Sequence, residues 1–193
     1  MMETNRRLIA EYTRQHGGGS NGRIGNGVLA TLMPHVLAPR PQSLADYGCG
    51  RSDLARLVAA RADVGDVAVF DPAVPERAKR PARVLDLSIN VDVLEHVPDE
   101  EIDAVAAEMA SMARDVLIMV DTRPAEARLS DGRDAQMSLH DEAWWWERLR
   151  RSVRRCARFG RSAGGASPSR ASTRHCRRSP RRGSSRGRPS PAS

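Results

Sequence analysis

The sequence predicts an α/β fold: a doubly wound, mostly parallel sheet with helices on both faces. Three observations carry this. Short apolar, β-branched runs alternate with amphipathic helical stretches from Ser43 to Val120. The helical stretches are long enough to serve as crossovers between parallel strands. The first strand runs straight into glycines that open a helix, the usual entry to such a unit.

Taken in order, Leu8, Ile9 and Tyr12 permit a short helix over Met1–Gln15, and the glycine-rich stretch His16–Gly27 predicts a loop that serves as a lid. Val28–Leu37 again has helical apolar spacing, and Pro39 and Pro41 end it. Ser43–Tyr47 is the first strand. Asp53 is placed to cap the next helix, whose Leu54, Leu57, Val58 and Ala62 share one face before Gly65 stops it. Val67–Phe70 is the second strand. Three prolines and four basic residues leave 71–83 room only for a loop with a turn of helix, and Arg77, Lys79, Arg80 and Arg83 are read as a solvated cluster. Val84–Val91 is the third strand. Pro98, Asp99 and Glu100 open a helix with an acidic first turn and an apolar stripe of Ile102, Val105, Ala106, Met109 and Met112. Val116–Val120 is the fourth strand. A last helix begins at Asp141 and Glu142, and at least one of Trp144, Trp145 and Trp146 on it must face the core.

Charge divides the chain in two. Up to Glu147 there are 16 Lys and Arg against 24 Asp and Glu, a net of −8; beyond it stand 15 Arg and no acid, which yields the overall +7. The basic pI therefore describes a tail on an acidic domain, and it is no argument for a nucleic-acid-binding fold. The expected division is 1–42 as N-terminal helices and lid loop, 43–149 as the core domain, and 150–193 as a disordered Arg/Ser/Pro/Gly-rich tail. The tail contains neither lysine nor acid, the composition that GC-rich DNA yields out of frame. A shifted reading frame is preferred over a native phosphate-binding arm. If the frame is shifted, the edge of the sheet is left unpaired and part of the core is missing.

Cys49, Cys156 and Cys176 fall at no metal spacing and make no disulfide framework, so no metal is expected. No run of about 18 apolar residues occurs and the N-terminus lacks an apolar leader, which points to a soluble, cytoplasmic protein without a membrane partner.

The chemistry concentrates where the strands end. Gly48 and Gly50 remove side chains that would keep a ligand from the backbone, and the carboxylate of Asp46 beside them disfavours a pyrophosphate but suits a cation. About 20 residues on, Asp71 ends the second strand, where an acid can accept from both hydroxyls of a ribose; the Asp71-Pro72 pair also reads as a plain strand-ending turn. The third strand delivers Asp92, Val93, Glu95 and His96 to the same edge.

These runs resemble class I S-adenosylmethionine (SAM)-dependent methyltransferases, and more narrowly a group of small stand-alone methyltransferase domains of bacteria and phages. The resemblance rests on DYGCGRSDLA at Asp46–Ala55, FDPAVPE at Phe70–Glu76, DVLEHVPDEEIDAV at Asp92–Val105, TRPAEARLSDGRDAQ at Thr122–Gln136 and the Trp144-Trp145 pair. The resemblance covers roughly Tyr12 to Leu149, and it implies a closing antiparallel hairpin at the C-terminal end of the sheet that is expected to be missing, since no β-branched or aromatic run follows Leu149. The resemblance implies a Rossmann-like fold and SAM as cofactor, with Asp46, Gly48, Cys49 and Gly50 on its methionine side. It implies further that Asp71 and Pro72 lie at the ribose, with Asp92 and Val93 near the methyl group. Ser52 departs from the pattern where many relatives keep a third glycine, and Gln136 where this group often has histidine.

Methyl transfer needs positioning more than covalent help, so a base is wanted only for a protonated acceptor; His96 and His140 are the candidates, although His96 reads more readily as capping the sheet edge and His140 as sitting in a surface turn. The expected acceptor is a small molecule or glycan-like compound. Two further readings stand beside this one: an RNA-binding or RNA-modifying protein working through its basic tail, and an inactive, frameshifted remnant of a methyltransferase.

Overall fold

The computed structural model describes residues 26–122 and 137–153. The Met1–Gln15 helix, most of the lid loop, Gln136 with its run, and the arginine-rich tail from residue 154 lie outside the described residues.

Helix α1 (Asn26–Leu37) leads into β1 (Ser43–Tyr47), α2 (Leu54–Ala62), β2 (Asp66–Phe70), β3 (Leu85–Val91), α3 (Asp99–Met112), β4 (Ala113–Met119) and α4 (Glu142–Ser152). The four strands form one sheet in the order β2-β1-β3-β4, every neighbouring pair parallel. This is the doubly wound, Rossmann-like α/β arrangement that the alternation predicts.

The two faces follow from the period of two along each strand. Leu117 and Met119 of β4 join Leu44, Leu87 and Ile89 on the face covered by α1 and α2. Val116, Ile118 and Val120 point the other way, into the layer made by α3 and α4. Helix α1 supplies Val28, Leu29, Leu32 and Val36, one stripe at helical spacing. On the opposite layer the whole stripe read from the sequence, Ile102 to Met112, is buried, and Trp145, Leu149 and Val153 meet it at steps of four. Trp145 is the tryptophan that enters the core. Trp144 lies at the rim, stacked on His140 with ring centroids 3.6 Å apart.

Asp86 fixes the register at the amino end of the sheet. Its Oδ2 accepts from Gln42 N and Ser43 N at 3.0 and 3.1 Å, its own N–H donates to Ser43 Oγ at 2.9 Å, and Arg114 reaches Oδ1 at 3.1 Å. One carboxylate thus ties β1, β3 and β4, and these donors, Gln42 N–H foremost, hold its pKa below the ordinary carboxylate value.

Several element ends differ from the sequence reading. α1 takes in Asn26 and Gly27, which read as loop. α2 stops not at Gly65 but at Asp63, which takes the left-handed conformation with φ 55°. Asp53 occupies the N-cap position of α2 without capping it: its carboxylate pairs with Arg56, and Ser52 Oγ accepts from Leu54 N at 3.4 Å instead. β4 begins three residues before Val116, because α3 passes into it at Ala113 with no loop between. The core boundary drawn at Leu149 falls inside α4, and Val153 beyond it is buried. The turn of helix that the sequence allows within 71–83 is a 3₁₀ turn at Pro75–Arg77, and a second 3₁₀ turn spans Leu94–His96.

Among the described residues no helix is long and apolar enough to cross a membrane. The outer strand β2 leaves Val67 and Val69 exposed at 39% and 36%.

Candidate functional site

All four strands run the same way, so their carboxyl ends collect on one edge, and β1 and β3 are the neighbours at which the connections diverge to opposite sides. Open α/β sheets bind ligands outside that point. The edge brings together Asp46 from β1, Asp71 after β2, Asp92 and Glu95 after β3, and Asp121 after β4. The sheet itself opens there: the β1–β3 ladder stops at Asp46 and Ile89, and beyond it the Asn90 side-chain amide donates to Tyr47 O at 2.9 Å. Asn90 Oδ1 is buried without a hydrogen-bond partner.

Asp46 is 2% exposed and its Oδ2 has no partner. Burial pushes its pKa up to about 7, against the pull of the Ala55 N–H in the first turn of α2 and of the Arg77 guanidinium. A carboxyl in this state ionises when a cation arrives beside it.

The glycine turn follows. Gly48 and Gly50 both have positive φ, 73° and 50°. At Gly48 a Cβ would lie 2.5 Å from Val93 Cγ2, so the turn after β1 and the turn after β3 touch through the missing side chain. Gly48 N donates to Phe70 O at 2.8 Å and Gly50 N to Asp71 Oδ2 at 2.7 Å. Asp71 Oδ1 accepts from Ala73 N at 2.8 Å. Both Asp71 oxygens therefore already hold a backbone N–H, and each retains a second lone pair for a further donor. Pro72 is half-buried beside it. Cys49 is buried, with its thiol pushed up to about 12, chiefly by burial and then by Asp46, so it stands as a neutral wall of the turn.

Asp92 is held in the left-handed region at φ 54°, with its N–H donating to Met119 O at 3.0 Å. A non-glycine residue at this conformation is uncommon and clusters at functional edges. His96 ends the 3₁₀ turn that starts at Leu94 and is half-buried. His140 lies on the next segment, since Ser138 N donates to Glu95 O at 3.0 Å and Ser138 Oγ to Val97 O. Its Nε2 faces both Asp99 oxygens at 2.9 and 2.8 Å, and its ring is stacked on Trp144. Arg148 completes the ladder, 5.3 Å from the Trp144 ring centroid and bonded to Asp103 and to Asp99 O. His140 thus clasps α3 to α4 through Nε2, which leaves Nδ1 as the ring nitrogen that the Asp99 contact does not occupy.

Glu95 is 1% exposed; its Oε1 accepts from Asp121 N at 3.1 Å and its Oε2 has no partner. Burial first, then Asp92 and Asp121, push its pKa up to about 8. Such a group is protonated in the folded protein at neutral pH and ionised in the unfolded chain. Stability then falls as pH rises from about 4.5 to about 8, by about 1.4 kcal/mol per unit, and is level above. Glu95→Gln mimics the protonated acid, so urea unfolding at pH 5 should differ little from wild type, while at pH 8 the variant should be more stable by roughly 3 kcal/mol. Equal stabilities at pH 8 would show Glu95 to be ionised in the fold.

Sequence reading missed Arg77 altogether. It is no part of a solvated cluster: its Nη1 donates to Gly50 O at 2.9 Å and to Ser52 O at 3.2 Å. Nothing in the composition of 77–83 separates it from Lys79, Arg80 or Arg83. Asp121 was also unremarked, though it follows a strand as Asp71 does. Among the described residues no group of three or more His, Cys, Asp or Glu side chains is arranged to hold a metal.

No protein-family model, curated protein or solved structure matches the chain.

Proposed function

We propose that this chain is a SAM-dependent methyltransferase whose cofactor lies along the carboxyl edge of the sheet and whose acceptor is a small molecule or glycan-like compound. The observation that carries the reading is Asp46: a buried carboxyl with one oxygen unpartnered, beside a glycine turn, at an edge crowded with acids. That donor set fits a cation and repels a pyrophosphate. Asp46 would face the ammonium of the amino-acid end, the Gly48–Gly50 turn would lie against it, and the remaining lone pairs of Asp71 would accept from ribose hydroxyls. When bound, SAM supplies a methyl group on a positively charged sulfur. The part left to the protein is orientation, with the acceptor's lone pair held in line and any acceptor proton passed to His96.

The test is calorimetric titration of the full chain with S-adenosylhomocysteine, which keeps the amino-acid end. Below about 7 Asp46 must give up a proton before it can pair with the ammonium, so affinity should rise several-fold from pH 6 to pH 7.5, with proton release seen as a dependence of the heat on buffer ionisation enthalpy. Asp46→Asn should bind more weakly at pH 7.5 and lose the pH dependence. A folded protein that binds at neither pH would overturn the reading.

A further inference from the structure

The turn that carries Gly48 and Gly50 is gripped from two sides, and the two grips come from one short loop. The loop closes on itself at the end of β2: Asp71 N donates to Arg77 O at 3.0 Å, and Arg77 N donates to Val74 O at 2.8 Å. Ala73 and Val74 are buried, and Pro75 opens the 3₁₀ turn that ends at Arg77. Asp71 and Arg77 are thereby fixed next to each other and face the same residue of the turn. The Asp71 carboxylate takes the Gly50 N–H at 2.7 Å, and the Arg77 guanidinium takes the Gly50 carbonyl at 2.9 Å and the Ser52 carbonyl at 3.2 Å. Arg77 Nη1 also lies 3.7 Å from Cys49 Sγ.

Both polar groups of Gly50 are therefore held by charged side chains, at a residue whose φ of 50° is outside the ordinary range. A turn left to itself would exchange between conformers, and binding would bear the entropy of ordering it. We propose that Arg77 is a positioning residue: paired with Asp71, it holds the glycine turn in one conformation before a ligand arrives. The grip is a property of the free protein; its service to SAM binding rests on the function proposed above.

The two claims separate in one set of variants, made in a Cys156→Ser, Cys176→Ser background so that Cys49 is the sole thiol. In the free protein Cys49 is buried within this turn and should react slowly with an aromatic disulfide reagent. Arg77→Ala loses at least one charge-assisted hydrogen bond, which should speed labelling about tenfold or more. Low-millimolar ethylguanidinium should slow it again, and should leave the parent protein unchanged. Arg77→Lys, which keeps the charge but not the fork, should fall between, and it decides the matter should Arg77→Ala not fold. Labelling at the parent rate in the folded variants overturns the grip.

The second readout is affinity for S-adenosylhomocysteine, expected to drop about tenfold in Arg77→Ala and to be recovered by ethylguanidinium. Faster labelling with unchanged affinity overturns the positioning role. Faster labelling in a series where the parent itself does not bind leaves the grip standing and removes the proposed function instead.

Discussion

Gly48→Ala is expected to destabilise the fold by about 2–5 kcal/mol, a large share of what holds a domain of this size together. Two separate costs meet at this position. A left-handed φ of 73° disfavours any L side chain by roughly 1–2 kcal/mol. The new methyl would also lie 2.5 and 2.8 Å from the two γ-carbons of Val93, well inside contact distance, on a β-branched side chain with few rotamers to escape into. The costs can be told apart by equilibrium denaturation of Gly48→Ala, Val93→Ala and the double variant. The double variant should recover the steric part and keep the backbone part, giving a coupling of about 1–3 kcal/mol. Additive effects would mean that the turns after β1 and β3 do not touch.

Trp145→Ala should cost about 3–5 kcal/mol, because the fully buried indole joins α4 to α3, to Val116 and Ile118 of β4 and to Val120 just past it. The two neighbouring tryptophans provide the control. Trp144 lies at the rim between His140 and Arg148, and its replacement by Ala should cost roughly 1 kcal/mol. Trp145→Phe is the discriminating substitution: it leaves a small cavity but removes an Nε1–H that is buried with no acceptor. The two effects oppose each other, so Trp145→Phe should fall within about 1–2 kcal/mol of wild type. Urea midpoints that rank Trp144→Ala as the most damaging of the three would overturn this placement of the core.

Strands β1, β3 and β4 were legible because each is buried on a sheet covered from both sides, so burial demanded apolar runs that the sequence displays, as at Val116–Val120. The face of α3 was legible for the same reason. Boundaries were less so where short polar residues compete with glycine: Asp63, not Gly65, adopts the left-handed end of α2, since Asp tolerates that conformation. Ala113 carries no strand signal of its own and enters β4 by its pairing with Leu85. At the site, the residues ending strands were readable from position, whereas Arg77 was not. Its function comes from a loop folding back on β2, a contact that local sequence does not encode. Ser52 shows the reverse case: the departure from the glycine pattern has its own use, accepting from the first N–H of α2.

The strand order also sets a timetable for the growing chain. β1 is made first and lies inside the sheet, between β2 and β3. Its partner on one side follows soon after; its partner on the other is Leu85–Val91, with Ser43 and the Asp86 carboxylate that anchors it 43 residues apart. Synthesis from the N-terminus therefore holds one edge of β1 open through the whole of α2, β2 and the loop after it, with Leu44 still waiting for Leu87. Such long-range parallel pairing slows folding and exposes strand edges to other chains in the interval. In sequence that interval closes at Asp86, whose carboxylate holds the backbone at the start of β1 and also receives Arg114, 28 residues further on.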